Sequence, residues 1–192
     1  MQAAYQGAPL GSSYRLVEPV GEGAVGTVWT ATRSDTSALF AAKLLKPEYA
    51  NSPEFLERFV RERTVLMQLQ HSSIVPVVDM IVEGGNLAII MEYQHGGTLR
   101  DMLRTLGTIA PGTALAMMER VLLALEQAHR KKVLHLDIKP DNVLLSGNPT
   151  ETFPEQVRVA DFGIAELTGD GPASSTTGRG SYGTPMYMSP ER

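Results

Sequence analysis

The stretch VLHLDIKPDNVLL, residues 133–145, places an acid, a cation and an amide between two short apolar runs. The runs at its two ends are rich in valine and leucine, which predicts two short strands with a loop between them. Asp137, Lys139 and Asn142 stand in that loop, separated by two and three positions. A loop held by strands at both ends projects these side chains into one cleft, which favours a site that stabilises negative charge.

The composition excludes several classes of protein. The chain has 192 residues, of which 43% are apolar and 20% charged, as is typical of a folded globular protein. A formal charge of −4 gives no basic field, so nucleic acid is not expected as a partner. The absence of cysteine rules out disulfides, thiolate catalysis and thiolate metal sites. No stretch approaches the roughly 20 apolar residues that span a bilayer. We therefore expect a cytoplasmic chain without membrane contact from this segment, although the full-length protein could be anchored beyond Arg192.

The first part of the chain carries strand signals. Residues 1–13 contain neither a charged leader nor a continuous apolar stretch, so we expect a flexible N-terminal tail rather than a secretory signal. Short β-branched and aromatic runs punctuated by glycine then predict three strands, around residues 16–17, 28–30 and 39–41.

A helix and a hairpin follow these strands. Ser52 is a capping residue and Pro53 favours the first helical position, so the apolar residues that recur after them at helical spacing predict a helix. Apolar runs at residues 74–82 and 87–92 are joined by the turn sequence Glu-Gly-Gly-Asn, which predicts an antiparallel hairpin.

The second part of the chain begins with helical patterns. Thr98 is a candidate cap for a short amphipathic helix over residues 99–106. Residues 114–128 predict a longer helix, whose apolar face we expect to carry Leu115, Met118, Val121, Leu122 and Leu125. Strand-like pieces are expected at residues 133–134, 143–145 and 157–160, and a flexible loop rich in Gly, Ser and Thr at residues 168–182.

A glycine motif, GEGAVGTV at residues 21–28, lies between the first two predicted strands. Glycines let backbone amides approach the phosphates of a nucleotide. In a dinucleotide-binding fold the third glycine opens a helix, but residues 27–30 continue here as a strand, which favours a glycine hairpin over a triphosphate. An ordinary hairpin turn with three glycines is the alternative.

Two charged residues of the same region are candidates for nucleotide binding. Lys43 ends a strand after an apolar run, where we expect it to be drawn inward and to need anionic partners. Glu62 on the predicted helix is one candidate partner, and the α- and β-phosphates of ATP are another. The alternative for both residues is a solvated position on the surface.

Asp161-Phe162-Gly163 follows the predicted strand at residues 157–160. A lone Asp-Phe-Gly is a common turn, but this one precedes the segment GTPMYMSPE at residues 183–191. The order of the glycine motif, Lys43, the 133–145 loop and these two segments resembles that of the protein kinase family over residues 14–192. Residues 14–18 resemble the bacterial members of its eukaryotic-like Ser/Thr group.

The resemblance implies transfer of phosphate from ATP to serine and threonine hydroxyls of protein substrates. Asp137 would accept or orient the proton of the substrate hydroxyl, and Lys139 would contact the γ-phosphate. Asn142 and Asp161 would hold Mg²⁺. The sequence Lys139-Pro140 favours Ser/Thr substrates over tyrosine by the same resemblance.

The resemblance also implies where ATP binds. Met91 would be the gatekeeper beside the adenine, and residues 92–94 the hinge whose backbone bonds to it. An apolar column linking the lobes would consist of Leu66, His135 and Phe162, and generic core packing is the alternative for these apolar residues. The expected nucleotide-binding residues are Val20, Gly21, Glu22, Gly23, Ala24, Val25, Gly26, Thr27, Val28, Ala41, Lys43, Glu62, Met91, Glu92, Gln94 and Leu144.

The fold class that follows is α+β, in a protein-kinase-like two-lobe fold. Residues 14–92 would form an N-lobe with an antiparallel sheet plus one helix, and residues 93–192 the hinge and a partial helical C-lobe. The family continues through several more helices, so we expect a fragment with little activity of its own and an uncovered apolar face on the 114–128 helix. A kinase dimer is compatible with the resemblance, although no residue marks an interface.

Leu136 departs from the family pattern. Most members carry an arginine immediately before the catalytic aspartate, and that arginine pairs with a phosphate on the activation loop. Leucine cannot do so, which favours reading residues 168–182 as a linker rather than as a phosphorylated switch. The departure motivates one alternative function, an ATP-binding pseudokinase or interaction module without turnover. A small-molecule kinase is a further alternative, which the segment at residues 183–191 disfavours, because in the protein kinases that the chain resembles this segment shapes the peptide-docking site.

Overall fold

The computed structural model describes residues 5–147, 154–163 and 185–187 of the chain. It divides into two units, the first comprising Met1–Met67 and Pro76–Tyr93 and the second Gln68–Val75 and Gln94–Arg192. The division after Tyr93 lies one residue beyond the boundary predicted from the sequence.

Residues 68–75 belong to the second unit, although the sequence placed them with the first. The backbone N–H of Val75 donates to the carbonyl of Val159 (2.9 Å), and the N–H of Val159 donates to the carbonyl of Ser73 (2.9 Å). Ile74 also forms a parallel bridge with Val159. The strand predicted at residues 74–82 therefore begins three residues later, at Val77.

The first unit is built on a six-stranded antiparallel sheet, which confirms the three predicted strands and the hairpin. Its strands are β1 (Pro9–Leu10), β2 (Tyr14–Glu22), β3 (Gly26–Arg33), β4 (Leu39–Leu45), β5 (Val77–Glu83) and β6 (Asn86–Glu92). Their order in the sheet is β1-β2-β3-β4-β6-β5. Gly84 and Gly85 form the β5–β6 turn with φ of 60° and 78°, a conformation that glycine adopts without steric cost.

One face of this sheet carries the core of the unit. The cluster is centred on Ala31, Ala42 and Ile90, which lie on three neighbouring strands and are fully buried. Trp29 and Phe40 pack against the same cluster. Because successive side chains of a strand point to opposite faces, the residues next to Ala31, Ala42 and Ile90 on their strands point to the other face of the sheet.

The flexible tail predicted for residues 1–13 is corrected in its last part. Strand β1 pairs with β2, with Leu10 opposite Tyr14. Ala8 and Leu10 are 4% and 1% exposed and belong to the core cluster of the sheet. A two-residue strand is too short to produce a periodic pattern, so only tertiary packing reveals it.

Two helices accompany the sheet, where the sequence predicted one. The predicted helix is α2 (Pro53–Met67), and the Ser52 hydroxyl accepts a hydrogen bond from the N–H of Phe55 (3.3 Å), as expected of a cap. Phe55, Phe59 and Leu66 are its buried residues. The unpredicted helix is the single turn α1 (Pro47–Ala50).

Within the residues that the structure describes, the second unit contains two helices and a two-stranded antiparallel sheet. The helices are α3 (Leu99–Leu106) and α4 (Pro111–Arg130), and the strands are β7 (Val143–Leu145) and β8 (Val157–Val159). Short 3-10 turns cover Pro140–Asn142, Pro154–Gln156 and Pro185–Tyr187. The predicted cap of α3 is confirmed as a capping box, in which Thr98 Oγ1 accepts from the N–H of Asp101 (3.1 Å) and Asp101 Oδ2 accepts from the N–H of Thr98 (3.1 Å).

The strand predicted at residues 133–134 is absent from the described secondary structure. The N–H of Val133 donates instead to the carbonyl of Ala128 (3.0 Å), which closes the end of α4. Val133 therefore terminates α4 instead of pairing with another strand.

The predicted apolar face of α4 is uncovered at most of its members, as expected from the sequence, and Val121 is the member that is buried. Leu115, Met118 and Leu122 are 73%, 48% and 60% exposed. The buried residues are Met117, Val121, Ala124 and Ala128. Apolar residues of α4 occupy more than half of the circumference of the helix, so their spacing alone could not show which side is buried. The two alanines let the helix approach its neighbours closely. None of the helices within the described ranges is long and apolar enough to span a lipid bilayer.

Candidate active site

The glycine motif forms the turn between β2 and β3, and the folded chain itself requires only its last glycine. A Cβ at Gly26 would lie 2.9 Å from the carbonyl carbon of Leu44 and closer still to its oxygen. A Cβ at Gly21 would meet no atom within 4 Å, and one at Gly23 only the Gly26 oxygen at 3.7 Å. Neither Gly21 nor Gly23 has a positive φ. The packing of the described residues therefore does not require glycine at Gly21 or Gly23. The absence of side chains at these two positions leaves room for phosphates to approach the backbone.

Four predicted nucleotide-binding residues lie on one face of the first unit's sheet. The register pairs Val28 with Lys43 across β3 and β4, and Ala41 with Met91 across β4 and β6. Directly paired residues share a face, and Ala41 and Lys43 are two positions apart on one strand. These residues therefore lie on the face opposite to the core cluster around Ala42.

The predicted Lys43–Glu62 ion pair stays a prediction. Glu62 Oε1 lies 3.0 Å from Nε of its neighbour Arg61, and the Glu62 side chain is 29% exposed. Lys43 is half-buried in β4. The two residues belong to the same unit, and ATP phosphates are the second partner that the sequence proposes for Lys43.

In the second unit the 133–145 loop brings its acid, cation and amide together, as predicted. Lys139 Nζ lies 2.7 Å from Asp137 Oδ2, and the two side chains are 21% and 29% exposed. Asn142 Nδ2 donates to the backbone oxygen of Asp137 (2.7 Å) and to its Oδ2 (3.2 Å). The 3-10 turn at Pro140–Asn142 folds the amide back onto Asp137. The three side chains form one polar cluster, in which Asp137 and Lys139 are partly exposed and Asn142 is buried at 7% exposure.

Asn142 is anchored from both sides of the cluster. Its backbone oxygen accepts a hydrogen bond from the N–H of Ala160 (2.9 Å), and its own N–H donates to the Lys139 carbonyl (3.0 Å). Because Nδ2 is engaged by Asp137, the side-chain oxygen Oδ1 points the other way and keeps its lone pairs for a cation or a donor.

His135 is a buried neutral imidazole beneath this loop. Nδ1 accepts a hydrogen bond from the N–H of Asp137 (3.2 Å), so the ring proton resides on Nε2, which donates to the Ala160 carbonyl (2.8 Å). Burial lowers the pKa of His135 below its ordinary value, and the Ala160 bond only partly offsets this. The ring joins the Asp137 loop to the backbone that leads into Asp161.

Two non-glycine residues beside the cluster have a left-handed backbone: Leu136 with φ 63° and Asp161 with φ 65°. Aspartate tolerates this conformation, whereas a leucine there is strained by about 1–2 kcal/mol. The His135–Asp137 hydrogen bond closes a tight turn around Leu136, which accounts for its conformation. Strain of this kind persists where the surroundings impose it, and it is frequent at functional sites.

The predicted apolar column is represented in the second unit by His135 and Phe162. Their rings form an edge-to-face contact with centroids 4.8 Å apart, and Phe162 is 6% exposed. Leu66 is buried within the first unit at 3% exposure. Continuity of the column through Leu66 stays a prediction.

The other predicted binding residues occupy both buried and exposed positions. Gln94 is buried at 7% exposure, and Leu144 pairs with Arg158 across β7 and β8. Val20 is 55% exposed near the end of β2, and Glu92 is exposed at the end of β6. The predicted loop at 168–182 and residues 183–184 and 188–191 lie outside the described residues.

Sequence reasoning missed a polar network beside the 133–145 loop. Arg100 in the first turn of α3 forms a two-pronged ion pair with Asp141, through Nε–Oδ1 (2.8 Å) and Nη2–Oδ2 (3.0 Å). Nη2 also donates to the Tyr187 hydroxyl (2.9 Å). The partners lie 41 and 87 residues from Arg100 along the chain, so no local pattern connects them.

The sequence matches the family described as protein kinase domain over residues 14–192. Serine/threonine-protein kinase PkaA of Streptomyces coelicolor is 40% identical over 194 residues, covering 95% of this chain and 35% of PkaA. The crystal structure of the Mycobacterium tuberculosis PknI kinase domain has a TM-score of 0.71 at 33% identity, covering 85% of this chain and 64% of that domain. Rad53 1-466, crystallised in complex with AMP-PNP, has a TM-score of 0.68 at 26% identity, covering 79% of this chain and 38% of that crystallised chain.

The chain spans between 22% and 43% of the length of the first curated relatives, all named as serine/threonine-protein kinases. The similarities confirm the α+β, protein-kinase-like fold and lend no support to the pseudokinase alternative. They cover the glycine turn, the Asp137 loop and the Asp161 segment in one continuous match. The chain therefore belongs to the protein kinase domain family.

Proposed function

We propose that this chain transfers the γ-phosphate of ATP to serine and threonine hydroxyls of protein substrates. The observation that carries the proposal is the cluster in which Lys139 Nζ and Asn142 Nδ2 both bond to the Asp137 carboxylate, at 2.7 and 3.2 Å. An accessible carboxylate beside a cation and an amide provides a proton acceptor and charge stabilisation in one place.

Asp137 takes the role of the base. In the proposed reaction the substrate hydroxyl gives its proton to the carboxylate while its oxygen forms a bond to the γ-phosphorus. The bond from that phosphorus to the β–γ bridging oxygen breaks, and ADP leaves. The hydrogen bond from Asn142 to the Asp137 backbone oxygen, at 2.7 Å, holds the loop in place while the proton moves.

Lys139 supplies positive charge beside the same carboxylate. Its ammonium group carries three donors, so it can keep its 2.7 Å contact with Asp137 and donate to a γ-phosphate oxygen as well. A cation in this position stabilises charge on the phosphoryl group during transfer.

Asn142 and Asp161 are the residues that would hold Mg²⁺. The described residues contain no cluster of three or more His, Cys, Asp or Glu that could bind a metal by itself. Mg²⁺ commonly takes only one or two protein ligands together with substrate phosphates, so a carboxylate and the Asn142 Oδ1 fit this pattern. When bound, the ion neutralises charge on the phosphates.

The residues of the first unit fit ATP as the phosphate donor. Gly21 and Gly23 offer backbone amides with no side chain in the way, since a Cβ at Gly21 would meet no atom within 4 Å. Lys43 shares its sheet face with Val28, Ala41 and Met91, so an apolar surface for a base adjoins a cation for phosphates.

Leu136 leaves this chain without the arginine that most family members carry before the catalytic aspartate. We therefore propose that its activity does not depend on a phosphate paired at residue 136. A cytoplasmic location and a kinase dimer stay predictions.

The test measures transfer of labelled γ-phosphate to a basic Ser/Thr-containing protein, followed by phosphoamino acid analysis. We expect phosphoserine and phosphothreonine, and a loss of at least about 100-fold in rate for Asp137→Asn, because general-base catalysis contributes about 10²–10⁴-fold. Lys43→Met should also abolish transfer, whereas Lys131→Met, which changes an exposed lysine after α4, should not.

A folding control and a binding control accompany the assay. The melting temperature of each variant must stay near that of the wild type, and calorimetry should detect Mg·ATP binding to Asp137→Asn but not to Lys43→Met. Undiminished transfer by Asp137→Asn, or phosphotyrosine as the main product, would contradict the proposal.

A further inference from the structure

Arg100 joins three segments of the second unit that are distant along the chain. Its guanidinium bonds to both carboxylate oxygens of Asp141 and to the hydroxyl of Tyr187, at 2.8, 3.0 and 2.9 Å. The guanidinium carbon also lies 5.8 Å from the centre of the Tyr187 ring, within the range of a cation–π contact. Arg100 thus contacts Tyr187 both at its hydroxyl and near its ring.

The helix that carries Arg100 is a firm base for this network. Its N-terminus is fixed by the capping box of Thr98 and Asp101, immediately beside Arg100. Thr98 also bridges to Leu144 of β7, which follows the catalytic loop. These contacts therefore fix the helix that carries Arg100 relative to the loop, independently of the ion pair with Asp141.

Asp141 connects the network to the catalytic cluster. It is the middle residue of the 3-10 turn Pro140–Asn142, and its neighbour Asn142 bonds to Asp137 through Nδ2 (2.7 Å). A planar two-pronged ion pair fixes the orientation of the carboxylate as well as its distance. Arg100 thereby fixes Asp141, whereas Asn142 is anchored separately by its backbone hydrogen bonds to Lys139 and Ala160.

The network contributes more to geometry than to the stability of the fold. Arg100 and Asp141 side chains are 30% and 43% exposed, and Tyr187 is 41% exposed. Ion pairs this accessible to water stabilise a fold only slightly. The hydrogen bond from Arg100 nevertheless lowers the pKa of Asp141, so its carboxylate remains charged and paired at neutral pH. Because the network is geometrically precise but contributes little to the stability of the fold, it indicates that Arg100 positions its two partners.

We infer that Arg100 is a positioning residue for the protein substrate, which holds the Tyr187 segment against the catalytic loop through Asp141. The inference rests on the proposed function, and it deepens it. Tyr187 lies in the segment at residues 183–191 that the family resemblance associates with peptide docking. Loss of Arg100 frees this residue from the loop that carries Asp137.

The first experiment does not depend on activity. Hydrogen exchange is followed by mass spectrometry in peptides that contain residues 186–187 and 141–142, for the wild type, Arg100→Ala and Arg104→Ala. Arg104 is the matched control, because it lies on the same helix, is 73% exposed and pairs, among the described residues, with Asp101 of its own helix at 3.5 Å. We expect faster exchange in both peptides for Arg100→Ala alone. Equal exchange in the two arginine variants overturns the inference.

The second experiment is kinetic. Arg100→Ala should raise the KM for the protein substrate about tenfold, equivalent to about 1.4 kcal/mol, while the KM for ATP stays unchanged. Arg100→Lys keeps the charge without the planar fork and should restore less than half of the loss. Equal changes in the two KM values would indicate general damage and would refute the inference.

A double-mutant cycle identifies the partner. Tyr187→Phe removes the 2.9 Å hydrogen bond but keeps the ring. If Arg100 acts through Tyr187, the double variant is no worse than Arg100→Ala, whereas additive effects overturn the inference. If the wild-type chain transfers no phosphate at all, the proposed function fails, and the exchange experiment alone decides whether Arg100 holds Tyr187.

Discussion

Replacing Gly26 by alanine should destabilise the first unit, whereas the same change at Gly21 should leave its stability intact. Both glycines belong to one motif, but only Gly26 faces a neighbouring backbone. Its Cβ would lie 2.9 Å from the Leu44 carbonyl carbon and 3.0 Å from the Leu45 Cα. Carbon atoms in contact prefer about 3.5–4.0 Å, and the Leu44 oxygen would be closer still, so β3 and β4 would have to separate by at least about 0.5–1 Å at this end.

The magnitude follows from overpacking and lost hydrogen bonds. Overpacking of a tight contact costs about 1–3 kcal/mol. Separation of the strands also weakens the bond from the Lys46 N–H to the Val25 carbonyl (3.0 Å), which continues the β3–β4 pairing past Gly26. Such a bond contributes about 0.5–1.5 kcal/mol. Together these effects predict a loss of about 2–4 kcal/mol for Gly26→Ala, a large part of the roughly 5–15 kcal/mol by which domains are stable.

The assay is urea unfolding followed by the fluorescence of Trp29, which is the single tryptophan of the chain. Trp29 packs against the core cluster of the sheet three residues after Gly26, so its emission reports on this unit. Gly21→Ala is the matched control, and we expect its free energy of unfolding to stay within about 0.5 kcal/mol of the wild type. The same control should weaken ATP binding, since a Cβ at Gly21 would occupy the space assigned to phosphates.

The reasoning is refuted if the two variants unfold at the same urea concentration with equal slopes. That result would mean that the strands adapt to a Cβ at Gly26 without cost.

Three further predictions concern the second unit. Burial lowers the pKa of His135 below its ordinary 6.5, so as pH falls below about 6.5 the unfolded chain gains a proton that the folded chain does not. The free energy of unfolding should therefore fall as the pH drops from about 6.5 through the folded-state pKa, and His135→Phe should flatten this slope. Val121→Ala, at 2% exposure, should lower the free energy of unfolding by about 1–3 kcal/mol in urea titrations, while Leu122→Ala, at 60%, should change it by less than about 0.5 kcal/mol. Thr98→Ala removes the cap of α3 and should cost about 1 kcal/mol in the same titration; no change would mean that water replaces the hydroxyl.

Elements defined by a few adjacent residues were predicted well from the sequence. The Thr98 cap, the Ser52 cap and the Gly84-Gly85 turn each depend on atoms within three or four positions of one another. Local hydrogen bonding and the conformational freedom of glycine suffice to specify such features. The strands β2, β3 and β4 followed from their β-branched and aromatic runs in the same way.

The side chains around Asp137 were also accessible from the sequence. Asp137, Lys139 and Asn142 are separated by only two and three positions, so a single turn brings them together. The pairing of Glu62 with Arg61, its neighbour on α2, was not anticipated from the sequence.

The sequence by itself determined the order of the motifs, the class of chemistry and the local elements that carry Asp137. Only the tertiary structure decided which side of α4 is buried, that residues 68–75 join the second unit through Val159, and that Arg100 reaches Asp141 and Tyr187. The reason is physical. A cap or a turn depends on neighbouring residues, whereas burial and ion pairing between residues 41 and 87 positions apart depend on how whole elements pack.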